Sequence, residues 1–225
     1  MQQIISFLKQ VKQNNNREWF EAHKADYKAA NAEFSAFVEQ LIMGIGLFDK
    51  SIKGLTVKDC TYRFYRDVRF SLNKAPYKTH FGAYICPFGK KSGFSGYYFH
   101  VEPDGNGFLG GSQLDTGLYG PDTKILNSIR EEISLNGDAF EATLRNDQGF
   151  ALADRNPLKR VPRGYSADSP YAEYLKLRNP ILCKIVDESF ILDKNLLENT
   201  LEAFRSTLDF NVWLNKAVSY ALEEQ

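Results

Sequence analysis

His80-Phe81-Gly82-Ala83-Tyr84-Ile85-Cys86 and Tyr97-Tyr98-Phe99-His100-Val101-Glu102 decide how this chain folds, because both runs alternate with a period of two. Odd positions carry Phe81, Ala83, Ile85, Tyr97, Phe99 and Val101, whereas even positions carry His80, Gly82, Tyr84, Tyr98, His100 and Glu102. Strands of this kind have one apolar and one polar face, and a register that keeps the apolar sets together pairs even with even. A turn centred near Lys90, within residues 87–93, makes the two runs a hairpin and sets His80 beside His100. Two histidines and a carboxylate on one face could share a proton or hold a metal, or the histidines could simply bond to neighbouring tyrosines.

Working outward, strand patterns over residues 62–65 and 108–114 extend the hairpin into an antiparallel meander between about residues 60 and 114. Upstream, Ile4, Ile5, Leu8 and Val11 mark a short helix that ends at Asn14-Asn15-Asn16. A long helix follows over residues 17–43, with Trp19, Phe20, His23, Tyr27, Ala30, Phe34, Phe37, Val38 and Leu41 on one stripe and Gly44 and Gly46 as its stop. His23 within that stripe reads as a packed residue bonded to a backbone carbonyl. Downstream come helices opened by Pro121-Asp122, a Pro-rich loop over 155–180, a strand over 181–190, and two helices started by Asp193 and Asp209. The expected fold is α+β: a central antiparallel sheet packed against the long N-terminal helix and the C-terminal helices, in one domain over residues 1–225. Trp19, Phe34, Phe81, Phe99 and Trp213 are the expected core.

Composition narrows the function. The chain has 28 basic and 28 acidic residues, yet residues 53–91 hold nine basic against two acidic ones. A local excess of seven positive charges inside a neutral protein points to a local anionic partner or to a lysine-guarded sheet edge. No apolar run approaches a membrane span and no secretory leader is recognisable, so no membrane partner is expected and a cytoplasmic location is. Cys60, Cys86 and Cys183 are far apart and form no CxxC pair, which fits free thiols. Gly105-Asn106-Gly107-Phe108-Leu109-Gly110 is a literal GxGxxG, but it follows Pro103-Asp104 and leads into a strand pattern, so it reads as a hairpin turn. Phosphate-loop, zinc-protease and serine-hydrolase motifs are missing. No cofactor and no metal is assigned.

The most distinctive segment runs Arg63-Phe64-Tyr65-Arg66-Asp67-Val68-Arg69-Phe70-Ser71-Leu72-Asn73-Lys74-Ala75-Pro76-Tyr77-Lys78-Thr79-His80. Its guanidinium forks and ammonium groups suit phosphate or carboxylate, and equally a structural network with Asp67. Together with Asn14-Asn15-Asn16-Arg17-Glu18-Trp19-Phe20 and Lys24, Tyr97 to Pro103, Gly110-Gly111, Pro162-Arg163-Gly164-Tyr165 and Tyr174-Leu175-Lys176, it resembles the motif series of the domain-of-unknown-function family 2461. The resemblance reaches from the first helix to about Asn179. It implies a single cytoplasmic α+β domain and carries no activity with it.

The residues themselves support a pocket for a small anionic ligand in which Arg63, Arg66, Arg69, Lys74, Lys78 and Tyr98 bind. If the pocket is catalytic, His80, His100 and Glu102 move a proton. A nucleic-acid module is the alternative, because Tyr62, Phe64, Tyr65, Phe70, Tyr77 and Tyr84 interleave with the basic residues. A pI near 6.8 and the negative remainder of the chain weigh against it. A domain that meets an acidic protein is the third reading.

Overall fold

The computed structural model describes residues 1–103, 105 and 107–223; Asp104 and Asn106 of the glycine motif, and Glu224 and Gln225, lie outside the described residues. Five strands, β1 (Phe81–Ile85), β2 (Gly96–Val101), β3 (Gln113–Gly117), β4 (Ala151–Ala153) and β5 (Ile181–Ile185), form an antiparallel sheet in the order β1-β2-β3-β5-β4. The hairpin pairs even with even, as its alternation requires, but Gly82 rather than His80 stands opposite His100. The register centre is therefore one residue later than Lys90. His80 lies just outside the paired strand.

The odd face is the core. Phe34 and Phe37 of α3 (Lys24–Phe48) pack against Phe81 and Phe99, with ring centroids 5.1 and 4.8 Å apart. On the same face Tyr97 meets Phe204 of α8 (Leu196–Arg205), and Thr116 of β3 hydrogen-bonds Thr207 at 2.8 Å just before α9 (Leu208–Glu223). Phe34, Phe81 and Phe99 are buried as expected; Trp19 and Trp213 are only partly buried against the same cluster. The helix α5 (Thr123–Thr143), capped by Asp122, packs along α9 and bends at Asn136.

Five local expectations are corrected. Residues 17–43 are two helices, α2 (Arg17–Ala22) and α3, because His23 leaves helical geometry and its Nδ1 bonds the Trp19 carbonyl at 2.8 Å. The glycines do not stop α3. Leu201 of α8 packs where Gly44 lacks a side chain, so the helix runs on to Phe48. Residues 62–65 do not join the sheet, whose edge the chain meets just before them at the isolated Thr61 bridge to Ala83; they pair instead with residues 76–78, where Pro76 offers a carbonyl to Arg66 but no N–H. The strand expected over 108–114 begins only at Gln113, because Gly110 has φ +89° and the amides of Phe108 and Leu109 turn to the Glu102 carboxylate. The last strand likewise stops at Ile185, and Asp187 then caps a short helix, α7 (Glu188–Ile191).

Two asparagines near the N-terminus place the basic segment. Asn16 caps α2 by accepting the Trp19 amide. Asn15 pairs with the backbone of Tyr77 through both its amide groups, at 3.0 and 3.1 Å. The asparagine run therefore ends α1 (Gln2–Gln13) and also fixes the chain that leads into His80.

Candidate functional site

The even face of the hairpin carries a chain of hydrogen bonds. The Tyr98 hydroxyl lies 2.9 Å from His100 Nδ1, and His100 Nε2 lies 3.2 Å from Glu102 Oε2. Residues two apart on a strand share a face, which is why three alternate positions of β2 and its extension meet. His100 is wholly buried and Glu102 is 1% exposed.

The carboxylate sets the direction of the chain. Glu102 accepts four bonds: Phe108 N at 2.6 Å and Thr79 Oγ1 at 3.1 Å on one oxygen, Leu109 N at 2.8 Å and His100 on the other. Burial acts to raise its pKa, but the donors from His100, Leu109 and Phe108 prevail and hold it at about 2. A carboxylate only accepts, so His100 Nε2 carries a proton toward it. In the neutral imidazole, Nδ1 then accepts the Tyr98 hydroxyl. Tyr98 faces a base that is itself oriented by a buried acid.

His80 completes the cluster. Its ring lies 4.7 Å from that of His100 and stacks at 4.9 Å beneath Phe108, and its Nδ1 is buried without a hydrogen-bond partner among the described residues. Burial, then the neighbouring His100, lower its pKa to about 3, so the ring is neutral. One ligand atom from each of His80, His100 and Glu102 falls within 4.8 Å of the others, a spacing from which a cation could be gathered. Against this, the four bonds accepted by Glu102 already occupy its lone pairs, one of them with the His100 proton. Tyr98, His100 and Glu102 are thus bonded to one another, and His80 is held beside them by ring packing.

Further polar groups line the same face. Asp115 stands opposite Tyr98 in the ladder, accepts Gln113 Nε2 at 2.5 Å, and has its pKa raised by burial. Gln113 in turn accepts Arg155 at 3.2 Å. Sequence reasoning missed Thr79, Phe108, Gln113 and Asp115. The available signal was the lone acid inside the Gln113–Gly117 strand, at the same parity as Gln113.

The basic residues divide. Lys78 lies 5.3 Å over the Tyr62 ring, has its pKa lowered by burial and then by Arg63, and acts in turn on His80. Lys78 therefore borders the cluster, and Arg63 stands behind it as the neighbour of Lys78. Arg66 turns away, donating to Ala75 O at 2.8 Å and Ser71 Oγ at 3.3 Å. Arg69 pairs with Asp67 at 2.7 Å on the exposed surface, and Lys74 donates to the carbonyls of Val68 and Arg69. Arg66, Arg69 and Lys74 therefore tie their own loop together, and the structure does not bring them to the polar face.

The features define an α+β protein whose antiparallel sheet presents a buried tyrosine–histidine–carboxylate chain on its polar face. The chain belongs to the conserved hypothetical protein family DUF2461, whose match covers residues 3–213. No curated protein and no solved structure matches it. Among the described residues no helix is long and apolar enough to cross a membrane.

Proposed function

We propose that the polar face binds a small anionic ligand, a carboxylate or phosphate, and exchanges a proton with it through Tyr98. The observation that carries this is the ordered chain from Tyr98 through His100 to Glu102. Burial raises the Tyr98 pKa, so a lone phenolate there is costly. With His100 behind it, the hydroxyl proton passes to Nδ1 as Tyr98 takes one from the ligand. The resulting imidazolium then sits against an ionised Glu102. Lys78 and Arg63 supply the positive charge that draws the anion, and neutral His80 offers its free nitrogen.

As part of this reading the chain acts as one domain in the cytoplasm. A continuous core supports the first point: one cooperative unfolding transition, coincident by circular dichroism and tryptophan fluorescence, is expected, and two separate transitions would contradict it. The free thiols of Cys60, Cys86 and Cys183 support the second, and a fluorescent fusion found outside the cytoplasm would contradict it.

The binding test is titration with inorganic phosphate and with malonate, followed by the histidine ring signals in NMR spectra. The His80 and His100 signals are expected to move with one of the two anions, and Lys78→Ala should weaken that response about tenfold. Ring signals that stay fixed with both anions would overturn the reading.

A further inference from the structure

A cavity of about 330 Å³ lies between α2 and the two limbs of the basic loop, and none of its lining residues belongs to the polar face. Arg17, Glu21, Tyr65, Arg66, Pro76 and Tyr77 are its main walls. Its construction follows from the local sequence. Asn15 holds the Tyr77 backbone, Phe20 stacks on the Tyr77 ring at 3.9 Å, and Tyr65 bridges to Tyr77, so helix and loop meet at a fixed gap.

The chemistry of the walls is one-sided. Arg66 is held rigid by its two bonds within the loop, yet these use only two of its five N–H groups and neutralise no charge. The Arg17 guanidinium has no hydrogen-bond or ion-pair acceptor among the described residues. The one carboxylate in the wall among the described residues, Glu21, is engaged by Lys24 at 2.9 Å, and Asp67 is engaged by Arg69. Two guanidinium charges therefore remain uncompensated at one cavity. The hydroxyls of Tyr65 and Tyr77 also lack partners among the described residues. Two tyrosine rings and Pro76 supply a flat apolar surface beside them.

We infer that this cavity is a second binding site, for a small phosphomonoester with a planar or apolar body. The phosphate sits between Arg17 and Arg66 with the tyrosine hydroxyls as further donors, and the body lies against Tyr65 and Pro76. Two forked guanidinium groups, one of them fixed by its loop, favour the tetrahedral dianion over a monoanion. The volume falls at the lower end of the range for small-molecule sites.

The test uses the full chain and phenyl phosphate, with inorganic phosphate and benzoate as comparisons, followed by calorimetry and by the Tyr65 and Tyr77 ring signals. Phenyl phosphate is expected to bind more tightly than inorganic phosphate, and benzoate more weakly than either. Arg17→Gln should raise the phenyl phosphate Kd about tenfold while leaving the melting temperature unchanged, since Arg17 is exposed. Tyr98→Phe should leave this binding intact, which separates failure here from failure of the polar-face reading. Equal affinity in the Arg17→Gln variant, benzoate binding as well as phenyl phosphate, or no movement of the Tyr65 and Tyr77 signals would each overturn the inference.

Discussion

The Tyr98 hydroxyl occupies the space that a side chain on Gly82 would need: an added Cβ would stand 2.5 Å from it. Gly82 is directly opposite His100, so the phenol reaches His100 Nδ1 by lying across the bare backbone of β1. Gly82→Ala is therefore expected to push Tyr98 off its histidine at a cost of about 1–3 kcal/mol. Denaturant unfolding measures the cost, and a shifted His100 ring signal reports the broken bond. An alanine variant of unchanged stability with an unmoved His100 signal would contradict the close approach.

Glu102 holds a loop as well as a histidine. Glu102→Gln replaces an acceptor oxygen with an amide that points its own hydrogens at existing donors. A loss of about 2–3 kcal/mol is expected from the charged bonds removed. Hydrogen exchange locates the effect: the Phe108 and Leu109 amides should become fast while the strand amides of Phe99 and Val101 stay protected. Unchanged protection at Phe108 and Leu109 would show that the carboxylate does not anchor the loop.

How much of this was legible in the sequence follows from what each residue depends on. The two faces of the hairpin, and the company of His80, Tyr98, His100 and Glu102, follow from parity, which survives a one-residue shift of the turn centre. The register itself did not follow. The connection between β1 and β2 is long, and its end is set by tertiary bonds, such as the backbone of Ser95 pairing with the Asn215 amide at 2.7 and 3.1 Å. Phe108 and Leu109 read as the start of a strand, but the Glu102 carboxylate takes their amides and Gly110 turns the chain before Gln113. The basic run looked like one site. Whether Arg66 and Lys78 point the same way depends on the turn between them, and the turn sends them apart.

Acid stability should report on His80. Its pKa falls from an ordinary 6.5 to about 3 on folding, so below pH 6.5 the unfolded chain takes up a proton that the folded chain refuses. Stability is fully present above pH 6.5 and is lost as pH falls toward 3, by about 1.4 kcal/mol per pH unit. Glu102, lowered from 4.5 to about 2, adds a second loss of the same sign between those values. His80→Asn is expected to remove the upper part of this slope, between about pH 6.5 and 4.5, in urea unfolding measured across pH. A variant with the same slope there would place the acid sensitivity elsewhere.

Divalent metals offer another check on the cluster. With Glu102 already accepting four bonds, zinc or manganese is expected to leave the melting temperature unchanged, because a cation would first have to break the His100 bond. A clear rise on adding zinc, lost in both His80→Asn and Glu102→Gln, would show that the residues gather a metal instead.

The proton arrangement of His100 is the most direct measure of the relay. Nitrogen-15 NMR of the ring distinguishes its two neutral tautomers. Near neutral pH the expected result is a proton on Nε2, toward Glu102, and a lone pair on Nδ1 whose shift shows a hydrogen bond that disappears in Tyr98→Phe. A neutral ring with its proton on Nδ1, or an Nδ1 shift indifferent to Tyr98→Phe, would contradict the chain on which the proposed function rests.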